Sequence, residues 1–263
     1  MAFSAAALVS SFASNAALIT LGGVNAGDSS GLTSQFIDPL NAPGASAIYG
    51  YNGYFIETFD YATAMAGIPG SVAYNHPTNN AGCSINSLSS GVTVTQLTGT
   101  FQVARGNNNY AAAPLGDNTC FGYTPAQGGS QGSIAIDYSA LLALTNNTIS
   151  YFGFYWGSVD AYNSFAFYNG NTLIDSFSGP ELLALTGGIS GNQNQQESNR
   201  YVNINFGPGE GFTKVVVTSN GVAGEFDNIA IGLTNRQVPE PAGLAILGFG
   251  LAGLVLRQRA KKS

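Results

Sequence analysis

The chain has 263 residues, only 8% of them charged, and 14 acidic against 8 basic residues give a net charge of −6. Ordinary soluble proteins carry about 25% charged residues, so polarity here comes instead from Gly, Ser, Thr and Asn, the composition of an extracellular β-protein. Half of the basic residues lie at or beyond Arg257, so the body has no basic patch to neutralise phosphates, which argues against nucleic-acid binding.

In chain order, residues 1–26 read as a signal peptide. Ala5–Leu21 is apolar and small, and Val24-Asn25-Ala26 is an acceptable small-residue cleavage site before Gly27. No Lys or Arg precedes Arg105, so the usual positive n-region is missing. Either the signal is atypical or its start codon has been placed downstream of the true one.

Residues 27–237 read as one domain. Strand signals recur at Tyr49–Glu57, Val92–Leu97, Ser133–Asp137, Thr148–Trp156, Ser164–Tyr168, Thr172–Phe177, Arg200–Phe206, Phe212–Thr218 and Glu225–Ile231. The strands from Thr148 to Phe177 look like a three-strand meander. Ser178–Leu185 has Pro180 in its first turn and Gly187-Gly188 as a stop, which predicts one short helix. The fold class is therefore all-β, a jelly-roll-like β-sandwich with one short helix. Cys83 and Cys120, an even count in an exported chain, predict one disulfide.

Catalytic motifs are sparse. Gly128-Gly129-Ser130-Gln131-Gly132 has the spacing of a nucleophile elbow, but the only histidine, His76, precedes Ser130, and a strand follows where a helix is needed. Gly207-Pro208-Gly209-Glu210-Gly211 reads as a tight turn between strands. Carboxylates that could run glycoside hydrolysis as a pair are Glu57, Asp60, Asp160, Glu210 and Glu225, with no spacing that singles out an acid and a nucleophile. Two further readings concern binding. Glu57 or Asp60, early in the domain, and Asp227, in its last strand, could hold a structural calcium, because first and last strands of a jelly roll commonly lie side by side. Against this stands the plainer role of Asp227 and Asn228 as backbone partners at a turn or sheet edge. Trp156, Asp160 and Tyr162 place aromatics beside acceptors, as a sugar-binding face requires. An aromatic strand is equally the material of a core.

The C-terminal segment, residues 238–263, is the most specific feature. Val238-Pro239-Glu240-Pro241 is followed by the apolar run Ala242–Leu256 and the basic group Arg257, Arg259, Lys261 and Lys262. The run predicts a single transmembrane helix over 242–256, its basic end held on the cytoplasmic side. Fifteen residues span only ~22 Å of a ~30 Å hydrocarbon core, which suits a temporary anchor.

This tail resembles the PEP-CTERM sorting signal of Gram-negative bacteria. The resemblance implies an exosortase as processing partner, residence in the inner membrane before cleavage, and delivery to the cell surface or extracellular matrix. The pattern YFGFYWGSVDAYNSFAFYNG, with AAAPLGD before it and GEFDNIAIG after, resembles the Npun_F0296-type group of exosortase-dependent surface proteins, which carries no established catalytic residues. The expectation is a non-catalytic protein for adhesion or extracellular polysaccharide association. The alternative is a secreted glycan-active enzyme using a carboxylate pair.

Overall fold

The computed structural model describes residues 17–27, 29–36, 53–57, 59, 83, 92–126 and 128–235, with the backbone alone at 53–57 and 235. The strands are β1 (Leu18–Leu21), β2 (Val24–Asn25), β3 (Leu32–Thr33), β4 (Gly53–Glu57), β5 (Thr93–Thr98), β6 (Gln102–Arg105), β7 (Cys120–Thr124), β8 (Gly132–Asp137), β9 (Asn147–Gly157), β10 (Asn163–Asn169), β11 (Thr172–Ser178), β12 (Arg200–Asn205), β13 (Lys214–Ser219) and β14 (Gly224–Asn235). Helices α1 (Ser139–Thr145) and α2 (Gly179–Thr186) interrupt them.

The protein is an all-β sandwich. One sheet runs β1-β12-β9-β14-β7-β6, with β4 also on β14; the other runs β11-β10-β13-β8-β5. Strands pair in a nested series, β7 with β14, β8 with β13, β9 with β12 and β10 with β11, all antiparallel. That is one long hairpin wrapped into two sheets, the jelly-roll order. β4 also pairs with β14, so an early and the last strand do lie side by side.

The core forms because alternate residues of the central strands are aromatic. Phe152, Phe154 and Trp156 of β9 face inward and meet Phe165 and Phe167 of β10 from the opposite sheet, with ring centroids 4.0 Å apart for Phe154–Phe165 and 5.2 Å for Phe152–Phe167. Each such side chain contributes roughly 1.5–3 kcal/mol by leaving water. This packing corrects the expected meander. β10 and β11 form a hairpin, but β9 belongs to the other sheet, and the chain crosses between sheets at Ser158–Tyr162. β9 and β10 bury aromatics against each other face to face, which strands paired edge to edge in one sheet cannot do.

Among the described residues of the sandwich, two α-helices stand where one was expected. α2 begins as read, with Glu181 Oε2 accepting the Ser178 backbone N–H at 2.7 Å. The helix α1 is seven residues long and buries Leu141 and Leu142. It carries neither a side-chain N-cap nor an acidic first turn to announce it. Cys83 and Cys120 are joined, with Cα atoms 5.6 Å apart, tying residue 83 to the start of β7.

The outward face of the first sheet is covered as well. Tyr151, Tyr155 and Tyr201 point away from the sandwich core yet are 0–1% exposed, because Gly23, Gly31 and Ser34 of the amino-terminal segment lie against them. Tyr151 hydroxyl donates to Asn203 Oδ1 at 2.7 Å and lies 2.7 Å from Ser34 Oγ. Part of the segment expected to be removed as a signal peptide is thus built into the fold: β1 pairs with β12 from Leu18↔Asn205 to Leu21↔Val202.

Candidate functional site

The segment Tyr155–Asn163 sits at the end of the sandwich where β9 finishes and β14 begins. Trp156 does not serve as a stacking platform there. It is 1% exposed and packs edge-on against Phe165 at 4.9 Å. Its position in β9 has inward parity, so the ring joins the core, which corrects its assignment to a ligand face.

Asp160 and Tyr162 lie just beyond it, with Glu225 beside them. Ser158 Oγ donates to Glu225 Oε2 at 2.9 Å, and the Ala112 backbone N–H donates to Glu225 Oε1 at 3.2 Å. Asn199 Oδ1 accepts the N–H groups of Ser158 and Leu115, at 2.8 and 3.1 Å, which fixes the loop around the carboxylate. Ser190 Oγ donates to Asp160 Oδ1 at 3.2 Å, and the Tyr162 hydroxyl donates to the Val222 carbonyl at 2.7 Å. Burial pushes the Glu225 carboxyl up to about 8; the hydrogen bonds from Ser158 and Ala112 pull against it, and the nearby Asp160 charge adds to it. Burial likewise raises Asp160, against its bond from Ser190 and the nearby Tyr162 hydroxyl.

Both carboxyls are raised by burial, and Glu225 is only 3% and Asp160 8% exposed. Both are engaged by the loops that cover them. Of the other candidates for a carboxylate pair, Glu210 accepts the Gly207 backbone N–H at 2.7 Å and closes its own turn.

The calcium candidates are only partly in view. Register brings Glu57 opposite Ile229, two positions from Asp227 on β14. Strand β4 stops at Glu57, and Phe59 takes a left-handed backbone with φ 55°. The Glu57 side chain and Asp60 lie outside the described residues. Asp227 is fully buried in the row Asp227–Tyr155–Tyr201 across three strands. Among the described residues, no three His, Cys, Asp or Glu side chains gather as a metal site.

Asn228 has the plainer role foreseen for it. An extra residue between Asp227↔Tyr155 and Ala230↔Gly153 makes a β-bulge, with Asn228 at φ 48°. The bulge turns its side-chain amide onto Ser30 and Leu32, donating to their carbonyls at 3.0 and 2.9 Å.

A cleft of ≈590 Å³ opens at the opposite end of the sandwich, between the start of β9, the β12–β13 turn and the end of β14. Asn147, Thr148, Ser150, Asn169, Thr213 and Thr234 supply amides and hydroxyls to its wall, and none of its lining residues is ionisable. The Ser150 Oγ is buried with no protein partner among the described residues. Gly211 lets the turn pack closely on β9, since a Cβ there would collide with Thr148 Oγ1. Sequence reasoning missed this site. Its residues come from five separate elements and turns, none carries charge, and Gly207–Gly211 looked only like a turn. The twelve residues of β14 separate the two ends by ~36 Å at about 3.3 Å per residue.

Residues 237–260 match the PEP-CTERM protein-sorting motif. The chain therefore carries an exosortase-type sorting signal and is exported and processed at a membrane. No curated protein sequence matches the chain. Among solved structures it is similar to the enzymatically active domain of tailspike protein 4 of bacteriophage CBA120, at 16% identity and a TM-score of 0.30, over 55% of this chain and 20% of that one. The chain spans about a fifth of that protein, and a likeness this slight carries no argument about activity. Among the described residues no helix is long and apolar enough to cross a membrane; Val238–Pro241 and Ala242–Leu256 lie outside them.

Proposed function

We propose that this is a cell-surface or extracellular-matrix protein, released from the inner membrane by an exosortase, whose jelly-roll domain associates with extracellular polysaccharide without catalysis. The likeness of its body to the Npun_F0296-type group belongs to the same proposal. The observation that carries the binding role is the neutral cleft: amides and hydroxyls converge there with one buried hydroxyl that has no partner among the described residues. Saccharide hydroxyls complement such a lining, and an ionic ligand would find no counter-charge in it. A glycan-array screen of the released protein, repeated with Asn147→Ala and Asn169→Ala combined, tests the role. Loss of binding in the variant supports it; unchanged binding moves the ligand elsewhere.

The glycan-active alternative draws on the raised carboxyls of Glu225 and Asp160. What weighs against it is that the loops around Ser158 and Ala112 occupy the space a scissile bond would need. Release of reducing sugar that disappears in Glu225→Gln would reverse the choice. Calcium held by Glu57 or Asp60 with Asp227 remains part of the proposal, supported by the β4–β14 register. A melting midpoint unchanged by chelator removes it.

A further inference from the structure

We propose that Asn220 is a site of spontaneous deamidation in this protein, and that a hydrogen bond between Gly170 and Thr213 spares Asn169, which lies in the cleft. Asn-Gly is the pair most open to this reaction. The backbone nitrogen of the following residue attacks the asparagine side chain, and glycine has no Cβ to obstruct the approach. The pair occurs at 52–53, 169–170 and 220–221. Asn52 lies outside the described residues, and Asn169 and Asn220 are both exposed. Exposure therefore does not separate the two, but hydrogen bonding does.

At 169–170 the attacking nitrogen is already engaged. The Gly170 N–H donates to Thr213 Oγ1 at 3.0 Å, and the Thr213 hydroxyl is itself held by donating to the Tyr168 carbonyl at 3.3 Å. Attack on Asn169 would have to break the first of these bonds. At 220–221 the Gly221 N–H has no acceptor among the described residues. The groups around it are fixed: the Asn220 N–H donates to the Tyr162 carbonyl at 3.2 Å, and Ser219 Oγ donates to the Gly221 carbonyl at 2.8 Å. Gln131 Nε2 donates to Asn220 Oδ1 at 2.8 Å, the oxygen on which negative charge develops as the nitrogen attacks.

The reaction needs only water. The Gly221 nitrogen gives up its proton and bonds to Asn220 Cγ, the Cγ–Nδ2 bond breaks, and ammonia carries the proton away. Water then opens the cyclic imide at either of its C–N bonds, leaving aspartate or isoaspartate at position 220. Isoaspartate adds a carbon to the backbone of the β13–β14 turn, whose Val222 carbonyl accepts the Tyr162 hydroxyl at 2.7 Å. At Asn169 the same chemistry would place a carboxylate in a cleft whose lining has no ionisable residue. Thr213, from the same lining, keeps that cleft neutral.

The test is peptide mass spectrometry of protein recovered from producing cells and aged at mildly alkaline pH, read against a urea-denatured sample aged in parallel. In the folded protein, conversion at Asn220 should run about tenfold ahead of Asn169, the factor one hydrogen bond contributes. In the denatured sample the two should convert at similar rates. Equal conversion in the folded protein, or a folded Asn220 that stays intact while the denatured chain converts, overturns the proposal. Thr213→Val removes the acceptor and keeps the shape. It should raise conversion at Asn169 about tenfold, with Asn220 unchanged as the internal reference. An unchanged rate at Asn169 in that variant overturns the shielding by Thr213.

Discussion

Asn228 and Ser30 are separated by 198 positions in sequence, yet the Asn228 side-chain amide reaches the Ser30 carbonyl at 3.0 Å and its hydroxyl at 2.9 Å. The bulge in β14, with Asn228 at φ 48°, turns the amide outward onto the covering segment. That contact, with the bond to the Leu32 carbonyl at 2.9 Å, fastens Ser30–Leu32 to the outer face of the first sheet, and the Tyr201 hydroxyl donates to the Asn228 carbonyl at 3.0 Å.

Asn228→Ala should lower stability by about 3 kcal/mol, through lost bonds to buried carbonyls and a β-carbon at positive φ with no side-chain compensation. Asn228→Gly relieves the backbone and loses only the bonds, so it should cost about 1 kcal/mol less. Urea unfolding of both variants checks the ordering. Equal losses would mean the φ of 48° is immaterial.

Glu225 makes stability depend on pH in an unusual direction. Its folded carboxyl titrates at about 8 against an ordinary 4.5, so between those values the folded state holds a proton the unfolded chain has lost. Its contribution is complete below about pH 4.5 and declines as pH rises through about 8, by at most ~1.4 kcal/mol per pH unit. Asp160 is shifted the same way. Glu225→Gln, which stays neutral in the same space, should flatten the decline between pH 5 and 8 in thermal melts. A wild type whose stability rises across that range contradicts the buried acid.

Trp156 is the only tryptophan, and its place in the core makes intrinsic fluorescence a direct probe. Emission should be blue-shifted, resist iodide quenching, and stay unchanged when a saccharide binds. Trp156→Ala should cost about 3–5 kcal/mol. A ligand-dependent shift in emission would return the ring to a binding face.

Reduction of the Cys83–Cys120 bond, or Cys83→Ser with Cys120→Ser, should lower stability by roughly 3–4 kcal/mol from the 37-residue separation it closes. Alkylation without reductant should label neither cysteine in the mature protein.

The readability of this fold from its sequence followed a physical divide. Strands with one polar and one buried face, such as Lys214–Ser219 with its strict alternation of burial, announce themselves. β7 does not, because Cys120–Thr124 is buried at every position and so shows no alternation. Its Gly122 is there for clearance, since a Cβ would lie 2.8 Å from the Phe59 ring. β1 was hidden for a different reason: an apolar, small-residue edge strand and a leader's apolar stretch have the same composition. The distal carboxyls could be named as candidates, but Glu225 could be told from Glu210 only by burial. The cleft, built from neutral residues of scattered elements, left no mark in the sequence at all.

The account rests on delivery by tail processing, and intact-mass analysis of protein released from the cell surface tests that most directly. The PEP-CTERM motif at residues 237–260 predicts a mature chain that ends near Val238 and lacks the apolar run and the basic group beyond it. Recovery of the Arg257–Ser263 peptide on mature surface protein would contradict the account.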